Sequence, residues 1–165
     1  MPAVQPQHFA ELYAYNAWAN RRLWNSVMTL SESQFRQPLS YGGTIRDQVT
    51  HMLAVESWWP HFLASGELVF LDPDTLPDRE AIRAAWDSVE ARNRAFLERL
   101  TPAELTREVR PEFWDPTEGP IQVWEALIQV LNHSTDHRAQ TLAGLSQLGA
   151  PTFEQDFLSY LHRPS

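Results

Sequence analysis

Two histidines stand four residues apart in Asn132-His133-Ser134-Thr135-Asp136-His137. On a helix that spacing puts both imidazoles on one face, one turn apart, where they can converge on a single ion. Hydrogen-bonded boundary histidines are the other explanation of the same spacing. A metal site needs a third ligand, and His8, His51, His61 and His162 are the remaining histidines. His8 falls at a helix start and His162 in the tail, and both are expected to be exposed. His61 follows Pro60, where the backbone is expected to be distorted. His51 lies mid-helix in Gln48-Val-Thr-His-Met-Leu and is preferred. Two ligands from one helix and one from a facing helix make a three-histidine tripod. A divalent ion held this way keeps an open coordination position, as in catalytic zinc sites, for water or a thiol. The chain has no cysteine, so thiol chemistry there would draw on a diffusible low-molecular-weight thiol. Hydrolysis by water at the metal is the competing reaction. A non-catalytic bundle that binds a metal or a small ligand, with a bis-histidine haem protein as its minor variant, is the competing class. No Glu-x-x-His motif occurs, so a ferritin-like di-iron site is excluded.

Four stretches with helical apolar spacing can carry these residues. The first runs from about Pro6 to Met28, with Phe9, Leu12, Tyr13, Leu23, Trp24 and Val27 setting the period. A short turn begun by Ser31-Glu-Ser-Gln follows, then a loop, Gln37-Pro-Leu-Ser-Tyr-Gly-Gly. The second opens at Thr44, an N-cap with Asp47 in capping-box position, and extends to Ser65-Gly66. Pro60 lies inside it and predicts a kink or an early end. The third opens at Asp78 and reaches Leu100, with Ile82, Trp86, Val89, Phe96 and Leu97 facing inward. The segment 101–120 holds four prolines and room for a short strand pair near Thr106-Arg-Glu-Val-Arg. The fourth runs from about Pro120 to Gly149, a C′ glycine followed by Pro151. One row of this helix, Ala126, Val130, His133, His137, Gln140 and Gly144, is small, apolar and histidine-bearing, which predicts a semi-enclosed space beside the imidazoles. Trp124, Leu127, Ile128, Leu131, Leu142 and Leu145 form the expected core stripe. The predicted fold is all-α: one domain over residues 1–165, an antiparallel four-helix bundle with long crossover connections and a short C-terminal extension docked through Phe153, Phe157, Leu158 and Tyr160.

Composition narrows the partners. The 165 residues include 13 basic and 21 acidic ones, a formal charge of −8. That sign disfavours nucleic acid. Every basic residue is arginine, which excludes Schiff-base chemistry and a Walker-type lysine. No apolar run approaches the roughly 20 residues of a membrane helix, and Met1-Pro-Ala-Val-Gln-Pro-Gln-His lacks the pattern of a secretory signal. The expectation is a cytoplasmic protein that acts on a small molecule, with neither membrane nor nucleic acid as partner.

Three blocks carry a resemblance to a known family: Tyr15-Asn-Ala-Trp-Ala-Asn-Arg-Arg-Leu23; Gly43-Thr-Ile-Arg-Asp-Gln-Val-Thr-His51 with Glu56, Trp59 and Gly66; and His133-x3-His137-Arg-x-Gln140 with Leu145-x-x-Leu148-Gly149. In this order they resemble the DinB/YfiT family of bacterial four-helix proteins, named for damage-inducible expression. The resemblance implies a stress-response setting, a homodimer, and a divalent ion, zinc or nickel, held by His51, His133 and His137. It also implies that some members transfer or isomerise substrates using low-molecular-weight thiols such as bacillithiol, mycothiol or glutathione, and the expectation for this chain is a thiol-dependent transferase acting on small electrophiles. Asp47, Glu56, Asn16, Asn20 and Gln140, in the matching blocks, are candidates for orienting the ligating rings. Trp18, Trp58, Trp59 and Trp124 are candidates for lining a pocket, with core packing as their default.

Overall fold

The computed structural model describes residues 4–40 and 43–163. Tyr41 and Gly42 of the predicted loop, and the first three residues, lie outside them. The chain forms α1 (Pro6–Val27), α2 (Glu32–Phe35), α3 (Ile45–Ser65), a 3-10 turn (Pro73–Thr75), α4 (Arg79–Leu97), α5 (Pro102–Leu105), β1 (Glu108–Val109), β2 (Ile121–Gln122), α6 (Val123–Gln147) and α7 (Phe157–Leu161).

The helix starts follow from local chemistry. At α3 the Thr44 hydroxyl accepts from Asp47 N–H at 3.0 Å, and the Asp47 carboxylate accepts from Thr44 N–H at 2.9 Å. This reciprocal cap satisfies two of the donors a helix start leaves open. Asp78 caps α4 by accepting from Ala81 N–H at 2.8 Å, and Pro6 occupies the first turn of α1, where its missing N–H costs nothing. Helix α3 ends at Gly66 in the left-handed region, φ +78°, which glycine adopts without steric cost.

Pro60 does not end α3, which continues to Ser65. A proline at this position leaves the carbonyl four residues back without its helical donor. Asn93 of α4 supplies a replacement, donating to the Glu56 carbonyl at 2.8 Å. Arg92 donates to the next carbonyl, Ser57, at 2.9 Å. The expected early end is thus averted by side chains of a neighbouring helix.

The four long helices form an all-α bundle. α6 packs on α1 and α3, and α4 packs on the same two helices from the other side. Ile45 closes on Gly144, while Phe62 and Leu63 cluster with Val123 and Leu127, so α3 and α6 run antiparallel. Arg21 pairs with Glu90 and Trp24 meets Trp86 edge-on, whereas Phe9 and Tyr13 cluster with Phe96 and Leu97. Thus α1 and α4 are antiparallel too. Met52 clusters with Ile82 and Trp86, and Phe62 with Phe96, so α3 and α4 share a direction. The bundle is therefore up-down-down-up. Residues 66–78 must return along its length; at about 3.3 Å per extended residue they exceed the roughly 30 Å of a 21-residue helix. This is the expected long crossover. The segment after α4 carries α5 and the small antiparallel pair β1/β2, with Val109 opposite Ile121. The C-terminal turn α7 docks Tyr160 against Tyr15 and Trp18.

Two apolar clusters fill the two ends of the bundle, one around Trp59, Phe96 and Leu127, the other around Trp24, Trp86 and Met52. Polar side chains lie between them. Asn16, Asn20, Glu56, Ser134 and Arg138 are all at most 5% exposed. The deepest stripe of α6 therefore runs Val123, Leu127, Val130, Ser134, Arg138, Thr141 and Leu145. Trp124, Ile128 and Leu142 of the predicted stripe are only half-buried.

Candidate metal centre

The three predicted histidines meet. One ring nitrogen each of His51, His133 and His137 lies within 4.8 Å of the others. The ring centroids are 4.8 Å apart for His51 and His133, 4.6 Å for His51 and His137, and 4.3 Å for His133 and His137. His51 Nε2 and His133 Nε2 approach to 2.9 Å. Tetrahedral zinc with bonds of about 2.0–2.1 Å would need ring nitrogens roughly 3.3 Å apart. The cluster brackets that separation, so the donor set fits a divalent ion once the wider ring separations close by up to about 1.5 Å. His51 is exposed, and His133 and His137 are half-buried, so the cluster opens to solvent on the α3 side. The other histidines take no part: His8 bonds the backbone of Gln5, and His61 faces Glu67 at 3.9 Å.

α3 and α6 position the rings. Their antiparallel packing sets His51 opposite the His133–His137 pair, and the i, i+4 spacing on α6 does the rest. His137 Nδ1 lies 3.0 Å from the Gln48 side-chain oxygen. With that oxygen as acceptor, the ring carries its proton on Nδ1 and its lone pair on Nε2. Gln48 was not among the residues predicted to orient the ligands. It stands three residues before His51, on the same helical face, and that spacing was the available signal. Of those predicted, Asp47 caps α3, Gln140 bonds Asp136, and Asn16, Asn20 and Glu56 belong to the buried core network. None of these five bonds a ring nitrogen of the cluster among the contacts described.

The two rings on α6 resist protonation. Burial lowers the His133 pKa to about 4, with the neighbouring His137 and His51 adding to the effect and Asp136 opposing it. Burial also lowers His137, with His51 adding and Asp136 opposing. A cluster that resists protons and offers lone pairs at one point suits a divalent cation.

Fold and cluster together define a four-helix bundle carrying a convergent, solvent-facing set of three histidines. The chain belongs to the DinB family, whose profile matches residues 4–164. It is 24% identical over 164 residues to Protein DinB of Bacillus subtilis (strain 168), covering 92% of both chains. Among solved structures it is similar to YfiT from Bacillus subtilis, described as a probable metal-dependent hydrolase with an unusual four-helix bundle topology, at TM-score 0.68 and 22% identity, covering 90% of this chain and 92% of that one. It is also similar to a DinB-like protein from Bacillus cereus ATCC 10987, at TM-score 0.63 and 18% identity, covering 92% and 98%. These likenesses carry the fold. Among the described residues, no helix is long and apolar enough to cross a membrane.

Proposed function

We propose that this chain is a metal-dependent enzyme that holds zinc or nickel on His51, His133 and His137 and joins a small-molecule thiol to an electrophilic substrate. The observation that carries the reading is the convergence of three imidazoles within 4.8 Å on a face that solvent can reach. A divalent ion on such a donor set supplies Lewis acidity, lowering the pKa of water or of a thiol that joins it. The protein's own part is to fix geometry: Gln48 holds the His137 tautomer, and the α3/α6 packing holds the separation of the rings. The chain has no cysteine to occupy a fourth position or to act as nucleophile, so the thiol must come from solution.

Metal-dependent hydrolysis is the second reading, favoured by the description of YfiT and the similarity of the folds. Elemental analysis tests what both readings share: protein purified from zinc- and nickel-replete medium should carry about one divalent ion per chain, and His133→Ala should carry none. Metal-free wild-type protein would overturn both. Conjugation and ester- or amide-cleavage assays on the loaded protein then separate them. Thiol-dependent loss of an electrophile such as a haloarene supports transfer, and thiol-independent cleavage supports hydrolysis.

A further inference from the structure

A cavity of about 370 Å³ opens between α1 and α4, on the edge of the bundle opposite the histidine cluster. Ala17, Trp18, Leu97 and Tyr160 give it apolar walls, and its lining also carries Arg94, Arg163, Glu98 and the Arg21–Glu90 ion pair. Its inner end is polar and belongs to the core. There Glu56, 5% exposed, takes hydrogen bonds from Asn16 at 2.9 Å, Asn20 at 3.0 Å and Ser134 at 2.7 Å. All three go to Oε1, and the contacts described give Oε2 none. Asn93, 4% exposed, gives its amide to the Glu56 carbonyl, and its Oδ1 has no partner. The Tyr13 hydroxyl is turned to the Leu127 carbonyl at 3.4 Å. The donors at the inner end are thus committed to the protein, while two acceptors are left over. Asn93 Oδ1 is a buried acceptor without a donor, which is costly, and Glu56 Oε2 receives no hydrogen bond among the contacts described, so a site built this way selects a ligand that brings donors.

We propose that this cavity binds a primary amine with an apolar body, its ammonium group seated on Glu56 and its body between Trp18 and Leu97. This site is separate from the metal reading and does not depend on it.

The probe is phenethylammonium, titrated calorimetrically into the full-length wild-type protein, with 2-phenylethanol as the neutral analogue of similar shape. The expected result is saturable binding of the amine, about tenfold or more tighter than the alcohol, since hydrogen bonds to a charged group are the stronger kind. Ala17→Phe fills the cavity and should abolish binding while leaving metal content unchanged. Glu56→Gln keeps an acceptor for Asn16, Asn20 and Ser134 but turns a donor toward the cavity, so it should erase the preference for amine over alcohol. No saturable binding by the wild type, or equal binding of amine and alcohol, overturns the proposal. Binding that survives Ala17→Phe and disappears in His133→Ala also overturns it, because the amine would then sit at the histidines. Elemental analysis of the same samples reports separately on the metal reading.

Discussion

Gln48 is the residue whose removal best tests whether the cluster is a built site. Its side-chain oxygen fixes which nitrogen of His137 faces the centre, and residues in that role typically change metal affinity by about 10–100-fold. Gln48→Ala should weaken zinc binding by that factor, read by competition with a chromophoric chelator. Gln48→Glu, which keeps an acceptor, should retain most of the affinity. Equal affinity in wild type and Gln48→Ala would remove Gln48 from the site. His133 makes a second prediction. Its folded pKa of about 4 lies below the ~6.5 of an unfolded histidine. The unfolded chain therefore binds more protons between those values, and stability falls as pH drops through that window. In EDTA-treated protein the melting temperature should fall from pH 7 to pH 4, and His133→Gln should lessen the fall. Identical profiles would mean that the ring is not held neutral by its surroundings.

Among the elements, α3 and α6 were the most legible from sequence, because their signals are local. Thr44 with Asp47, Asp78, Gly66 and Gly149 mark starts and ends through chemistry that acts within one turn. His51 and the His133–His137 pair could be found for the same reason, since spacing alone fixes which side of a helix they occupy. The rule failed at Pro60. What lets the helix continue is Asn93, 37 residues from the Glu56 carbonyl it serves, and no reading of the local pattern contains that partner. The compensation is testable. Asn93→Ala leaves the Glu56 carbonyl buried without a donor and should cost about 1–3 kcal/mol in urea unfolding. Pro60→Ala in that background restores a backbone donor and should recover part of the loss. No recovery would mean that Asn93 acts through something other than the missing N–H.

Across the whole molecule, the layer that joins the helices is the part the sequence concealed. Arg138 is fully buried and donates to Asn16 at 2.8 Å and Asn20 at 2.7 Å, and the same asparagines donate to Glu56. Carboxylate and guanidinium are thus coupled through two amides, across α1, α3 and α6. Each residue alone resembles a surface polar group, and only their simultaneous burial gives them a role. Burial lowers the Arg138 pKa, and Tyr15 and Glu56 oppose that shift, so the charge depends on its surroundings to remain inside. Removing one partner of a buried charged set is far more damaging than removing both, because the survivor is left uncompensated. Arg138→Met should therefore cost about 3–5 kcal/mol in chemical denaturation. The double variant Glu56→Gln/Arg138→Met should be more stable than Arg138→Met alone, although it carries one more substitution. Strictly additive losses would show that the two charges are independent and that the asparagines, not the ions, hold the layer. The stability gap between the single and double variants thus measures how far one buried charge in this bundle exists to accommodate the other.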